Sequence, residues 1–321
     1  MNLIQLVTKQ MRQRALSTWL TILSVTLGVA LVVAIMILRR EGQALFGQTD
    51  YGYDVLIGPK GSPLQLVLNT VYHMDKSPGN IPYTLYEELD HGERYRAEVK
   101  LAVPFAVGDT YMSQRIVATS PRMFNFTDDG QPIAGDGFEY RPGKRYELAQ
   151  GRMFHARKFE AIIGSDIPRL TGLKIGDTFN ATHGTPAPGE TPDVHEERWT
   201  VVGVLQPTHT ANDRVLFIPL ITFYSICSHG EGLEAQAQIK AGEDVSRVAS
   251  PKHEHHHHDG HAKHYTLGPD GTIDLHLPKE TWQLSAILVK SHSPFSAQSL
   301  MYVVNNRNEA AAVNPASVMR E

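Results

Sequence analysis

The chain has 321 residues, 41% of them hydrophobic and 20% charged, enough to bury a core over roughly two domains. Thirty basic side chains against 34 acidic ones leave a net charge of −4, which lacks the basic excess of a nucleic-acid binder. A single cysteine, Cys227, excludes an intramolecular disulfide and any multi-cysteine metal centre, and its nearest reading is a small apolar filler.

Residues 1–16 read as an amphipathic helix along a membrane surface, with Leu3, Ile4, Val7, Met11 and Ala15 on one face and Lys9, Arg12 and Gln13 mostly elsewhere. The same residues also read as the first turns of a spanning helix. An uncharged run of 21 residues follows, beginning at Thr18 and ending at Leu38, within a span set at 17–40. At 1.5 Å per residue it covers about 30 Å, the thickness of a bilayer's hydrocarbon core. Trp19 suits the interface at one end. The run is longer than a signal peptide's apolar region and ends in Arg39-Arg40 instead of a small-residue cleavage site, so it reads as an uncleaved anchor. A cleaved signal and a buried soluble helix are the rival readings. Thr21, Ser24 and Gly28 form a small-residue stripe that a second helix could approach, a pattern also common in any membrane helix.

The 281 residues from Glu41 onward hold no second run of this length, so they are expected to fold on one side of the membrane. Residues 55–57 read as a strand. The loop 58–63 carries Gly58 and Gly61, but Pro59 and Pro63 remove backbone donors, and the phosphate-binding pattern is missing. Residues 64–74 are ambiguous between helix and strand. Residues 83–89 read as a helix opened by Pro82, and 100–106 and 114–119 read as strands. Asp128, Asp129 and Asp136 lie in a glycine-rich connection whose spacing does not fit a calcium loop. Short strand-like pieces follow at 160–164, 178–181, 199–205 and 215–219, with a polar loop at 182–197 and a helical turn or two at 220–227. A strand is predicted at 234–239, another at 285–290, and a helix at 296–305. Asp213 and Arg214 read as a structural turn and ion pair. His229 and Glu231 near Cys227 make no catalytic set, and none is found elsewhere, so the chain reads as no enzyme.

Seven imidazoles stand between residues 253 and 264: His253, His255, His256, His257, His258, His261 and His264. Imidazole suits zinc, copper or nickel, and four such ligands complete a tetrahedral zinc site. Without an apolar pattern, and with Pro251, Gly260, Gly268 and Pro269 around it, the stretch 250–280 reads as a loop with several overlapping coordination modes. The competing reading is a solvated loop that binds metal only incidentally.

In order along the chain stand Gly151-Arg152-Met153-Phe154, Ala161-Ile162-Ile163-Gly164-Ser165-Asp166, Leu173-Lys174-Ile175-Gly176-Asp177-Thr178-Phe179, Trp199-Thr200-Val201-Val202-Gly203-Val204-Leu205 and Asn212-Asp213-Arg214-Val215-Leu216-Phe217-Ile218-Pro219. Behind a membrane helix, this series resembles the MacB-type periplasmic core domain of FtsX-like ABC transporter permeases, the group that includes MacB, LolC/LolE and FtsX. The resemblance implies an α+β fold: one N-terminal transmembrane helix, then a periplasmic α/β porter subdomain split over 43–121 and 235–315, with a β-rich, Sabre-like insert at 122–234. It implies a bacterial inner-membrane location, with the main domain in the periplasm. It further implies a cytoplasmic ABC ATPase subunit that binds ATP, a second permease copy as homodimer or heterodimer, membrane lipid, and in some members a periplasmic partner protein. The work would pass through the membrane mechanically. The alternative is a membrane-anchored periplasmic zinc-binding protein without transport. Because the family's second membrane helix would follow Glu321, the sequence reads as the N-terminal part of a longer permease or as a shortened single-span relative. If the histidine segment is a zinc site, calorimetric titration of the full chain at neutral pH is expected to show heat that disappears when those histidines are replaced; heat only above roughly millimolar zinc removes the idea.

Overall fold

The computed structural model describes residues 14–46, 51–74, 76–184, 193–226 and 264–320. The N-terminal amphipathic stretch before residue 14, the strand predicted at 234–239, Cys227, His229, Glu231 and the histidines from His253 to His261 lie outside the described residues. The chain divides into two units, residues 1–48 and 49–321.

Helix α1 occupies Ala15–Phe46, 32 residues long. Its first part, Ala15–Leu38, has a mean hydropathy of 2.7 and none of it is buried against protein. That overturns the reading of a buried soluble helix, because Leu20, Leu27, Leu31 and Ile35 all stand exposed. A helix apolar on every side needs an apolar solvent, and 24 residues reach about 36 Å, enough to cross a bilayer. Two of its hydroxyls are bonded within the helix, as such a medium requires. Thr21 Oγ1 donates to the Ser17 carbonyl at 2.9 Å and Thr26 Oγ1 to the Ile22 carbonyl at 2.8 Å.

The second unit is built on strand β1, Val55–Gly58, buried along its whole length. A short all-apolar run of this kind belongs in the middle of a sheet covered on both faces. Strand β13 (Ala286–Ser291) and strand β14 (Ala311–Val313) flank it, both antiparallel. Side chains alternate across it. Val55 and Ile57 face Leu300 and Val304 of helix α6 (Pro294–Asn305) and Leu85 and Leu89 of helix α3 (Tyr83–Asp90). Leu56 faces Leu66, Val67 and Val71 of helix α2 (Pro63–Val71). The stretch that was ambiguous between helix and strand is thus helical. Ser62 caps it by accepting from the Gln65 backbone, with Pro63 in its first turn. Ser293 caps α6 in the same way, accepting from the Ser296 backbone at 3.1 Å.

Strand β3 (Val99–Tyr111) is the longest, at 13 residues. Along one edge it pairs with β13 through residues 99–105, then with strand β7 (Thr178–His183) at Asp109 and Thr110. Along the other edge it pairs with strand β4 (Gln114–Thr119). The sequence prediction ended this strand at 106; the register of β3 against β4 shifts between Val107 and Thr110, so a bulge absorbs Gly108 and Asp109, two poor strand formers. From β4 the sheet continues through β9 (Val215–Pro219), β6 (Glu160–Ile163), β8 (Val194–Leu205) and β5 (Leu148–Gly151). Because β7 pairs with both β8 and β3, six strands close into a ring in the order β3-β4-β9-β6-β8-β7. Alternate residues from these strands share one buried cluster that contains Ile116, Leu216, Ala161, Phe179 and Trp199. The Trp199 ring is fully buried, and its Nε1 donates to Thr222 Oγ1 at 2.9 Å.

The family motifs are places where backbones meet. Gly151 and Gly203 are register partners on β5 and β8, and a side-chain carbon on Gly151 would lie 2.2 Å from the Val202 carbonyl oxygen. Gly164 sits against the turn 211–214, where its backbone N–H donates to the Val215 carbonyl at 2.9 Å. Asp213 builds that turn by accepting from the Thr208 N–H, the Thr208 hydroxyl and the His209 N–H, each at 2.8 Å. His73 reaches the same turn from the end of α2. Its Nε2 lies 2.7 Å from Asn212 Oδ1, its ring stacks on Phe105, and Asn212 Nδ2 donates to the Tyr146 hydroxyl at 2.8 Å.

Two stability predictions follow from these contacts. Gly164→Ala would drive a methyl group to within 2.4–2.5 Å of the Asn212 and Asp213 carbonyl oxygens. It is expected to cost about 2 kcal/mol or more in denaturant unfolding of the detergent-solubilised chain, whereas Gly61→Ala, in open space, stays within about 0.5 kcal/mol. Burial pushes the His73 imidazole down to about 4. Its folded value lies below its unfolded value, so its contribution is complete above pH ~6.5 and is lost as pH falls toward 4. The loss amounts to at most roughly 3 kcal/mol. His73→Asn keeps a hydrogen-bonding side chain and is expected to flatten the stability profile across that window.

Candidate functional site

The residues singled out in the sequence fall in different places. Thr18 to Leu38 form the exposed apolar part of α1. Of the seven clustered histidines only His264 is described. It is half-buried, immediately before strand β10 (Tyr265–Leu267), and its carbonyl accepts from the His276 N–H at 2.7 Å. The acidic connection is spoken for by neighbours: Asp136 pairs with Lys100 Nζ at 2.6 Å and Asp129 with His155 Nε2 at 3.2 Å. The Lys100 ammonium beside Asp136 holds that carboxyl below its ordinary range. Arg214 reaches Asp166 at 3.6 Å, in keeping with a structural turn.

Three side chains that sequence reading passed over converge at the closure of the ring. Asp109 lies in the bulged half of β3, fully buried. His183 is its register partner at the end of β7, and His195 lies at the start of β8. Asp109 Oδ1 is 3.4 Å from His195 Nε2 and 3.6 Å from His183 Nδ1. One donor atom from each of the three residues lies within 4.8 Å of the other two. The imidazole rings meet edge to face, 5.9 Å between centroids and 81° between planes. His195 is buried beneath, its backbone carbonyl accepting from Asn180 Nδ2 at 2.9 Å, while the His183 side chain is 56% exposed. The Asp109 carboxylate holds the His183 imidazole above the ordinary histidine range. Residues 182–197 read as a polar loop, but β7 extends to His183 and β8 begins at Val194, so both histidines stand on strands that flank a shorter connection. The available signal was a pair of histidines bracketing a proline- and glycine-rich stretch.

A second feature is a cleft of about 550 Å³ beside α3. Tyr83, Trp282, Lys279, Asp90 and Arg122 line it. Two of its cations are paired within the protein: Arg122 with Asp90, and Lys279, whose Nζ lies 3.1 Å from Glu87. Tyr83 and Trp282 pack with ring centroids 5.0 Å apart. Among its described residues no nucleophile is set against a base.

Residues 18–250 match the family described as MacB-like periplasmic core domain. A solved structure of the extracellular domain of YknZ, a noncanonical ABC-type transporter from Gram-positive bacteria, is similar at 13% identity and a TM-score of 0.36, over 81% of this chain and 99% of that one. No curated protein matches. The family match takes in 233 of 321 residues, the apolar helix and the ring of strands included. The chain belongs to the family with the MacB-like periplasmic core domain, the FtsX/MacB-like permeases of ABC-type transporters.

Proposed function

We propose that this chain is the anchored, extracytoplasmic part of a permease that turns ATP hydrolysis by a cytoplasmic partner into movement of its head. The permease-type role belongs to the family, whose components partner with an ATPase subunit and are generally not themselves catalytic. The observation that carries the reading is an apolar helix with no protein covering it, ahead of a head in which ten strands form one continuous sheet. Such a helix is at home only in lipid. A sheet hydrogen-bonded from β14 to β5 moves as a body when one part is pushed. In this reading the head lies in the periplasm, the helix spans the bacterial inner membrane, and a second permease copy completes the assembly. ATP is bound by the partner, and the histidines at 253–264 offer zinc a set of overlapping ligands.

Topology supplies the test. In a Cys227→Ser background, a membrane-impermeant maleimide is expected to label Lys60→Cys in intact spheroplasts, and Arg14→Cys only after the membrane is opened. The reverse pattern would place the head in the cytoplasm and end the reading. Affinity purification of the tagged chain from native membranes is expected to bring down an ATP-hydrolysing subunit, and its absence from well-solubilised membranes would remove the coupling.

A further inference from the structure

We propose that Asp109, His183 and His195 form a zinc site that fastens the closing seam of the six-stranded ring. This stands independently of the permease role, since it rests only on the geometry of the head.

Zinc–nitrogen and zinc–oxygen bonds of about 2.0–2.1 Å at tetrahedral angles set neighbouring donor atoms about 3.3 Å apart. The observed separations from Asp109 Oδ1, 3.4 Å to His195 and 3.6 Å to His183, are close to that edge. They are long for hydrogen bonds, which for such groups run near 2.7–3.2 Å. Two imidazoles and one carboxylate are the donor set of a borderline metal ion, whereas calcium and magnesium take oxygen ligands. Three protein ligands leave a fourth position, and the exposure of His183 puts that position on the solvent side.

The surroundings are built to hold the donors still. The β3 bulge sets Asp109 in the sheet interior, and β3 and β7 pair directly at Asp109 and His183. Thr110 Oγ1 donates to the Gly184 carbonyl at 2.6 Å, and the Gly184 N–H donates to the Gly108 carbonyl at 2.9 Å. Asn180 holds the start of β8 by donating to the carbonyls of His195, Glu196 and Glu197. Ligands fixed on paired strands bind a metal with little ordering cost. The competing account is a metal-free Asp–His staple across the same strands.

The test uses the full chain in detergent, with His253, His255, His256, His257, His258, His261 and His264 all replaced by asparagine so that the clustered histidines contribute no ligands. After loading with zinc sulfate and dialysis, elemental analysis is expected to find about one zinc per chain, and the thermal midpoint to rise with zinc. His183→Ala, at the exposed rim, leaves folding intact by circular dichroism and is expected to weaken zinc binding at least tenfold in competition with a chromophoric chelator. Asp109→Asn and His195→Gln are expected to abolish retention. Cobalt(II) in place of zinc should give the intense visible bands of a tetrahedral site in the parent and not in His183→Ala. A folded parent that retains no zinc would establish the metal-free staple and overturn the proposal. Zinc retained with equal affinity after His183→Ala would place the metal elsewhere, which overturns it equally.

Discussion

Strand β3 decides the shape of the head. Its edges are divided among three neighbours: β4 along one side, β13 and then β7 along the other. A straight 13-residue strand would carry the β13 pairing onward as an open sheet. The bulge at Gly108-Asp109 changes the strand's local twist after Val107, and the far half turns toward β7. The irregularity falls between the part of the sheet paired with β13 and the part that closes into the ring through β7.

The consequence is that segments far apart in sequence share one hydrogen-bonded body. The strands at 55–58, 286–291 and 311–313 form one wing, those at 148–219 the other, and β3 with β4 belongs to both. The parallel pairing of β4 with β9, from Arg115 against Val215 to Thr119 against Pro219, is the main bond between the wings. His73, Asn212 and Tyr146 add a polar link across them. In a head made in this way, backbone pairing runs from β14 to β5 within one sheet of ten described strands.

Much of this could be read from the chain because the physical signal was local. The apolar run at 18–38 is legible by length alone, and 215–219 reads as a strand because it is a short apolar run after an Asn-Asp turn, and every residue in it proves buried. Helix α6 shows itself in the spacing of Ala297, Leu300 and Val304. What could not be read depended on partners distant in sequence. Strand β5 carries an exposed Ala-Gln-Gly run with no apolar alternation, and it exists because Gly203 lets its backbone approach β8. The bulged half of β3 has poor strand propensity and is held by β4 and β7. His183 and His195 stand 12 residues apart, and only closure of the ring brings them to Asp109. The family motifs were recognisable for the opposite reason: Gly151, Gly164 and Gly203 mark backbone contacts too close for a side chain, and Gly176 takes a positive φ of 93°.

Two seams of the ring rest on only two register pairs each, and they differ in kind. Between β6 and β9 the paired residues are Ile162, Ile163, Phe217 and Leu216, all fully buried. Each such side chain contributes about 1.5–3 kcal/mol by burial, so that seam is held by its core even though its ladder is short. Between β3 and β7 the paired residues are Asp109, Thr110, Thr182 and His183, and the hydrogen bonds there bring only about 0.5–1.5 kcal/mol apiece. Apolar packing reaches that side through neighbouring residues, Tyr111 of β3 and Phe179 of β7 with ring centroids 5.3 Å apart, and not through the paired residues themselves. The paired residues of this seam are polar where those of its counterpart are apolar, and it is there that the proposed ion, held by three strands, ties the ring.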